Sequence, residues 1–221
     1  MPAVSVMLVD DHPIFSKGLA QLIGAQCMYK VVGEARDSAE AMDLLEREKP
    51  DLAVVDLNLG DEDGLETIKN MKALRPELVV LVLSMHDERY YAERAIRAGA
   101  RGYIMKQEAG ANVLEAIKTV MTGRIWLSES ERERMVNSMV GAEPLRENDD
   151  RFTPVNTLSD RQLQIFGFIG KGLGTIEIAA KLNLSTKTID THKEHIKLKL
   201  HCANAQELRQ FAIEWANRRK D

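Results

Sequence analysis

Five residues spread along this 221-residue chain have the types needed for phosphoryl chemistry: Asp10, Asp11, Asp56, Ser84 and Lys106. Each lies at or just past the end of a short apolar run, at residues 4–9, 52–55, 78–83 and 103–105. If those runs are parallel strands of one sheet, their carboxyl ends share an edge. Three carboxylates, a hydroxyl and an ammonium then converge there. Carboxylates that close repel one another unless a cation joins them. A carboxylate can attack a phosphoryl group and form an acyl phosphate, and a bridging Mg²⁺ offsets the repulsion between the anions. Asp10 and Asp11 would hold the metal, directly or through water. Asp56, ending the middle run, would be both ligand and nucleophile. Lys106 would pair with a phosphoryl oxygen, and Ser84 would donate a hydrogen bond to it. Taken singly, these residues have plainer roles as helix caps, backbone partners or solvated charges. Their placement as a set, each at the end of a run, points to chemistry.

The elements that must position them follow from the pattern. The run at 78–83 has no polar residue inside it, as expected of a strand buried on both faces. Pro13 suits the first turn of a helix to about residue 26, with Phe15, Leu19, Leu22 and Ile23 inward. A short strand at 31–33 is followed by a helix capped by Ser38 and carrying Ala41, Leu44 and Leu45. Gly64 opens a helix with Leu65, Ile68 and Met71 inward, another runs from about Asp87 to Gly99, and a last one spans about 109–122. Five βα units predict a doubly wound, five-stranded parallel sheet, which binds ligands at its strands' carboxyl ends. His12 is read as a residue at the start of the first helix.

Beyond residue 123 the pattern changes. Met135, Val136, Met139 and Val140 predict one face of a short helix, and 141–156 reads as linker, with Gly141, Pro144 and Pro154. The rest is all-helical. Ser159 and Gln162 form a capping box for a helix with Leu163, Phe166 and Ile169 inward. Thr175 to Leu182 is a second helix, and Ser185 caps a third. Leu208, Phe211, Ala212 and Trp215 recur at helical spacing in a fourth. The middle pair has the helix-turn-helix plan. In the third helix Ile189, His192 or Lys193, Ile196 and Leu200 fall inward, whereas Lys187, Asp190, Thr191, Glu194 and Lys197 face outward. Residues 157–221 carry 11 Lys or Arg against 7 Asp or Glu, a net +4; the whole chain is −4, so the preceding part is −8. An acidic front with a basic rear fits a regulated site coupled to a nucleic-acid binder.

The motifs resemble known families. Residues 1–123 resemble the receiver domain of two-component response regulators, through Val9-Asp10-Asp11-His12-Pro13, Val55-Asp56-Leu57-Asn58, Ser84 and Gly102-Tyr103-Ile104-Met105-Lys106. The resemblance implies a flavodoxin-like fold and phosphorylation of Asp56 by a histidine kinase. It implies Mg²⁺ at Asp10, Asp11, Asp56 and the backbone carbonyl of Asn58, and Ser84 with Tyr103 as a switch pair. Residues 158–216 resemble a LuxR-type helix-turn-helix, through Leu158-Ser159, Gly172-Leu173, Glu177-Ile178-Ala179, Leu184-Ser185, Lys187-Thr188-Ile189, His192, Ile196 and Lys199-Leu200. Together they resemble a NarL/FixJ-type regulator: a receiver at 1–123, a linker with a short helix at 124–156 and a DNA-binding domain at 157–221. The resemblance implies Asp190, Thr191 and Glu194 at base-reading positions, with Lys187, Thr188, Lys193 and Lys197 among the DNA contacts. It implies dimerisation through Leu208, Phe211 and Trp215, and a homodimer when active. Two departures stand out. Gly60 replaces a usual proline ahead of the acidic loop Asp61-Glu62-Asp63, which suggests a looser turn, and Met85 follows Ser84 where a small residue is common.

Other classes fit less well. Aspartyl-phosphate hydrolases place a second acid two residues after the nucleophile, where Asn58 stands here. A protein that docks partners without phosphorylation has no need of the complete set of five. With two cysteines, Cys27 and Cys202, neither a disulfide framework nor a zinc site is expected. No run approaches the roughly 18 apolar residues of a membrane helix, and the first apolar run is too short for a signal peptide. A cytoplasmic, non-enzymatic regulator is the expectation.

Overall fold

The computed structural model describes residues 3–60, 62–85, 88–139, 155 and 157–217. The chain forms two compact units, 1–142 and 143–221. In the first, β1 (Val4–Val9), β2 (Tyr29–Ala35), β3 (Leu52–Val55), β6 (Val79–Ser84) and β7 (Gly102–Met105) make one sheet. Its order is β2-β1-β3-β6-β7, and every pairing is parallel. The helices are α1 (Pro13–Gly24), α2 (Ser38–Glu48), α3 (Gly64–Leu74), α4 (Glu88–Ala98), α5 (Ala109–Met121) and α6 (Glu129–Met139). One sheet face buries Val6, Leu8, Leu52, Val54, Leu81, Leu83 and Ile104 against Leu19 and Ile23 of α1 and Val113, Ile117 and Val120 of α5. The alternate residues Met7, Val9, Ala53, Val55, Val80 and Val82 are equally buried. By the two-residue period of a strand they face the opposite side. Burial on both faces explains why residues 6–9, 52–55 and 79–83 are uninterrupted by polar residues.

Register carries the functional side chains to one edge. Val9 pairs with Val55, Val55 with Val82, and Val82 with Tyr103. The chain leaves β1 and β3 at the same level, and Asp56 N–H donates to the Val9 carbonyl at 2.8 Å. Gly64 seals the underside of this edge. A Cβ there would lie 2.5 Å from Leu57 Cα and 2.7 Å from the Asp56 carbonyl oxygen.

Several elements differ from the sequence expectation. β2 runs from Tyr29 to Ala35 rather than 31–33, because its ladder with β1 continues past the bulge at Val6/Met7. Asp37, not Ser38, caps α2: its carboxylate accepts from Glu40 N–H at 2.8 Å. β6 starts at Val79 and ends at Ser84, so Ser84 belongs to the strand. Two short strands, β4 (Asn58–Leu59) and β5 (Glu62–Asp63), form an unforeseen hairpin. Residues 106–108 form a 3₁₀ turn. The expected start of the fourth helix at Asp87 lies outside the described residues.

Residues 124–139, expected as linker, pack on the first unit. Trp126 pairs with Gly102 as a parallel bridge and accepts a hydrogen bond from Tyr103 N–H at 2.9 Å. Glu88 Oε1 accepts from Ser128 N–H at 2.9 Å. The expected inner face of α6 is also corrected. Val136 is exposed, whereas Glu131 is buried and paired with Arg134 at 2.6 Å; Arg134 also donates to the Arg89 carbonyl. The side chain of Met139, Val140 and nearly all of the 141–156 linker lie outside the described residues.

The second unit has four helices: α7 (Asp160–Gly170), α8 (Thr175–Leu182), α9 (Thr186–Lys199) and α10 (Ala205–Asn217). Both halves of the Ser159/Gln162 capping box are present. Asn183, at φ 52°, turns the chain between α8 and α9, and Ser185 accepts from Thr188 N–H at 3.0 Å as the α9 cap. The stripe of Leu208, Phe211 and Trp215, expected at a dimer interface, contributes to this unit's own core. Leu208 and Trp215 are buried in it, and Phe166 stacks on Phe211 and Trp215 with centroids 5.9 and 5.2 Å apart.

Gly64→Ala should destabilise the first unit by about 1–3 kcal/mol through overpacking, seen as a lower urea midpoint for residues 1–142 within the full chain. An unchanged midpoint would show that the edge yields freely at Leu57.

Candidate functional site

The carboxyl edge of the sheet gathers the predicted set. Lys106, one residue past β7, reaches back so that Nζ lies 2.6 Å from Asp10 Oδ2 and 2.7 Å from Asp56 Oδ2. All three side chains are buried. The ring of Phe15, on α1, covers the ammonium at 4.6 Å. This cation–π contact follows from the inward face of α1. Ser84 is fully buried at the end of β6, and Tyr103 is buried on β7. Asn58 N–H donates to Asp56 Oδ1 at 3.1 Å.

His12 is more than the first residue before a helix. Its N–H donates to Asp10 Oδ1 at 2.8 Å, and its Nδ1 lies 2.6 Å from Asp11 Oδ1 and 3.2 Å from Asp10 Oδ1. Residue type alone offered no signal for this, because the direction of the ring depends on how the chain turns into α1. Ligand atoms of Asp10, Asp11, His12 and Asp56 all lie within 4.8 Å of one another. Asp11 Oδ1 and Asp56 Oδ2 are buried; the first lies against His12 Nδ1 and the second against the Lys106 ammonium. This hard, oxygen-rich donor set suits a small divalent cation.

The Gly60 turn is held rather than loose. Gly60 takes φ +60°, a conformation that favours glycine, and its N–H donates to Asp11 Oδ2 at 3.1 Å. The hairpin thereby fixes the outer carboxylate. Met85 is exposed at the rim, 59% accessible, so its side chain does not fill the pocket.

Electrostatics separate the two central groups. Burial pushes the Asp56 carboxyl up to about 6; Lys106 pulls it down, and Asp10 adds to the rise. At neutral pH Asp56 is thus mostly ionised yet unusually basic, which suits a nucleophile. Burial works against the charge on Lys106, but Asp56 and Asp10 outweigh it and raise its pKa.

The second unit presents a polar surface on α9. Lys187, Asp190, Thr191 and Glu194 are exposed, as expected. Thr191 Oγ1 donates to the Lys187 carbonyl at 3.0 Å. The other predicted contacts have partners within the unit. Thr188 is half-buried and shares a 2.7 Å hydrogen bond with the Ser185 hydroxyl. Lys193 is half-buried and donates to Thr175 Oγ1 at 2.5 Å. Lys197 pairs with Glu194 at 2.8 Å. His192 is half-buried with its pKa lowered, by burial first and then by Arg161.

Fold and site define a receiver followed by a helix-turn-helix output unit. Residues 6–118 match the response regulator receiver domain family, and residues 156–212 match the bacterial regulatory proteins of the luxR family. Over 96% of its length the chain is 33% identical to the oxygen regulatory protein NreC of Staphylococcus haemolyticus, covering 97% of that protein. A LuxR-family two-component response regulator from Aurantimonas superposes with a TM-score of 0.58 at 33% identity, covering 62% of this chain and 99% of that one. The Salmonella typhimurium response regulator RcsB, in a structure concerned with conformational dynamism for DNA interaction, gives a TM-score of 0.57 at 26% identity over 96% and 98% of the two chains. The chain belongs to the NarL/FixJ family of response regulators, and as such is a transcription regulator.

The raised pKa of Asp56 has a consequence for stability. An aspartate at the ordinary value titrates near 3.8, so the folded chain holds this proton more tightly than the unfolded one. The stability so gained is full below about pH 3.8 and is lost as the pH rises through about 6. At pH 7.5 the ionised, buried group costs on the order of 3 kcal/mol. Metal-free Asp56→Asn should therefore unfold at higher urea than the parent at pH 7.5, and the gain should shrink toward pH 4. A variant no more stable at pH 7.5 would remove burial as the dominant influence.

Proposed function

We propose that Asp56 accepts a phosphoryl group from a partner histidine kinase and that this modification controls sequence-specific binding of double-stranded DNA by residues 157–221. The observation that carries the reading is the Asp56 carboxylate, basic and buried, within 2.7 Å of the Lys106 ammonium and beside the acidic cluster. Asp10, Asp11, Asp56 and the backbone carbonyl of Asn58 would hold Mg²⁺. When bound, Mg²⁺ supplies positive charge to the phosphoryl oxygens that three carboxylates would otherwise repel.

The chain's own residues do the rest. An Asp56 oxygen attacks phosphorus as the bond to the donor's nitrogen breaks. Lys106, freed from its pairing with that oxygen, turns its N–H groups to the arriving phosphoryl oxygens. Ser84 donates to another, and Tyr103 takes up the space that Ser84 leaves. Asn58 stands two residues on from Asp56, where aspartyl-phosphate hydrolases carry a second acid. This favours a lasting modification over enzymatic turnover. The output follows from α9: Asp190, Thr191 and Glu194 face bases, and Lys187 reaches phosphate. Acidic side chains in the major groove accept from the cytosine amino group. A homodimer would place two such helices on two half-sites, and the cytoplasm is where kinase and DNA are both accessible.

Asp56→Asn should abolish Mg²⁺-dependent labelling by a small-molecule phosphodonor such as acetyl phosphate; undiminished labelling would move the modification elsewhere. Lys187→Ala should weaken binding to all duplexes and reduce the salt slope by about one. An unchanged slope would remove Lys187 from the phosphate contacts.

A further inference from the structure

The helix-turn-helix contains a polar bridge that none of the roles above uses. Thr175, the first residue of α8, accepts a hydrogen bond from Lys193 Nζ at 2.5 Å and donates one to Asp190 Oδ1 at 3.3 Å. Asp190 and Lys193 are one turn apart on α9, so a single hydroxyl ties the start of one helix to two charges of the other. Thr175 suits this position. It has both a donor and an acceptor on one short, stiff side chain. Lys193 is half-buried, and burial lowers its pKa, with Asp190 opposing that shift and Arg209 adding to it. Asp190 is exposed toward the outward face of α9.

We propose that Thr175 is a positioning residue for DNA recognition, locking Asp190 into one presentation and withholding Lys193 from phosphate. This rests on the DNA-binding reading. Each half has a chemical consequence. With Oδ1 committed to Thr175, Asp190 has its other oxygen available to accept from one base amino group, which narrows what it tolerates. A lysine held inside the joint adds nothing to sequence-independent attraction, whereas a released one would strengthen binding to any duplex. The bridge thus exchanges general affinity for discrimination. It acts through Asp190 and Lys193 and need not touch DNA.

The test uses the full chain and two duplexes: one selected by this protein from a random pool, and a scramble of the same composition. Thr175→Val keeps shape and removes both hydrogen bonds. It should lower the ratio of selected to scrambled affinity by at least about tenfold and steepen the salt slope on the scrambled duplex by about one. Thr175→Ser should retain both parental values. Thr175→Val combined with Lys193→Met should restore the slope but not the ratio. Equal weakening on both duplexes with an unchanged slope would overturn the inference and leave Thr175 a merely structural residue. If the parent enriches no sequence at all, the DNA-binding reading itself fails, and the inference with it.

Discussion

Like charges held close together at the edge of a parallel sheet are the constraint on which the receiver depends. β1 and β3 end in register, so Asp10 and Asp56 must lie side by side, and neither can leave without breaking the ladder. Lys106 is the counterweight. It is drawn under cover, roofed by Phe15 and paired to both acids. A buried ion pair is weak support for a fold, because desolvation consumes much of the attraction. The arrangement is better understood as charge concentrated where the proposed modification would act. The doubly wound scaffold, apolar on both faces, supplies the rigidity that keeps it in place.

The second unit handles charge differently. Its recognition helix carries four lysines against two acids, and several of these charges are paired locally: Glu194 with Lys197, and Asp190 with Lys193 through Thr175. These pairings take part of the positive charge out of long-range attraction to a polyanion. Selectivity has to come from which groups remain unpaired and how they are oriented.

The sheet was legible in the sequence because its strands are buried on both faces, and such strands appear as unbroken apolar runs. Asp10, Asp11, Asp56, Ser84 and Lys106 were legible for the same reason, each marking the end of a run. What was missed has physical causes. Asp37 and Ser38 are both good caps, and only the backbone turn decides between them. Glu131 is buried because Arg134 neutralises it, and apolar periodicity cannot see a satisfied buried acid. The spacing of Leu208, Phe211 and Trp215 is the same for a core as for an interface; the ring of Phe166 shows the core role. His12, the β4–β5 hairpin and the Thr175 bridge depend on side-chain direction, which spacing does not encode.

The pairing of Trp126 with Gly102 and Tyr103 also bears on colloidal behaviour. β7 is the last strand of the sheet, and an open edge is a template for pairing with other chains. Here the segment just after α5 covers part of that edge and satisfies the Tyr103 N–H. A fragment cut at residue 123 would bare that edge, leaving a backbone donor and a strip of apolar strand for another molecule to pair with. By this measure the segment through Trp126 belongs with the sheet and guards its edge against self-association.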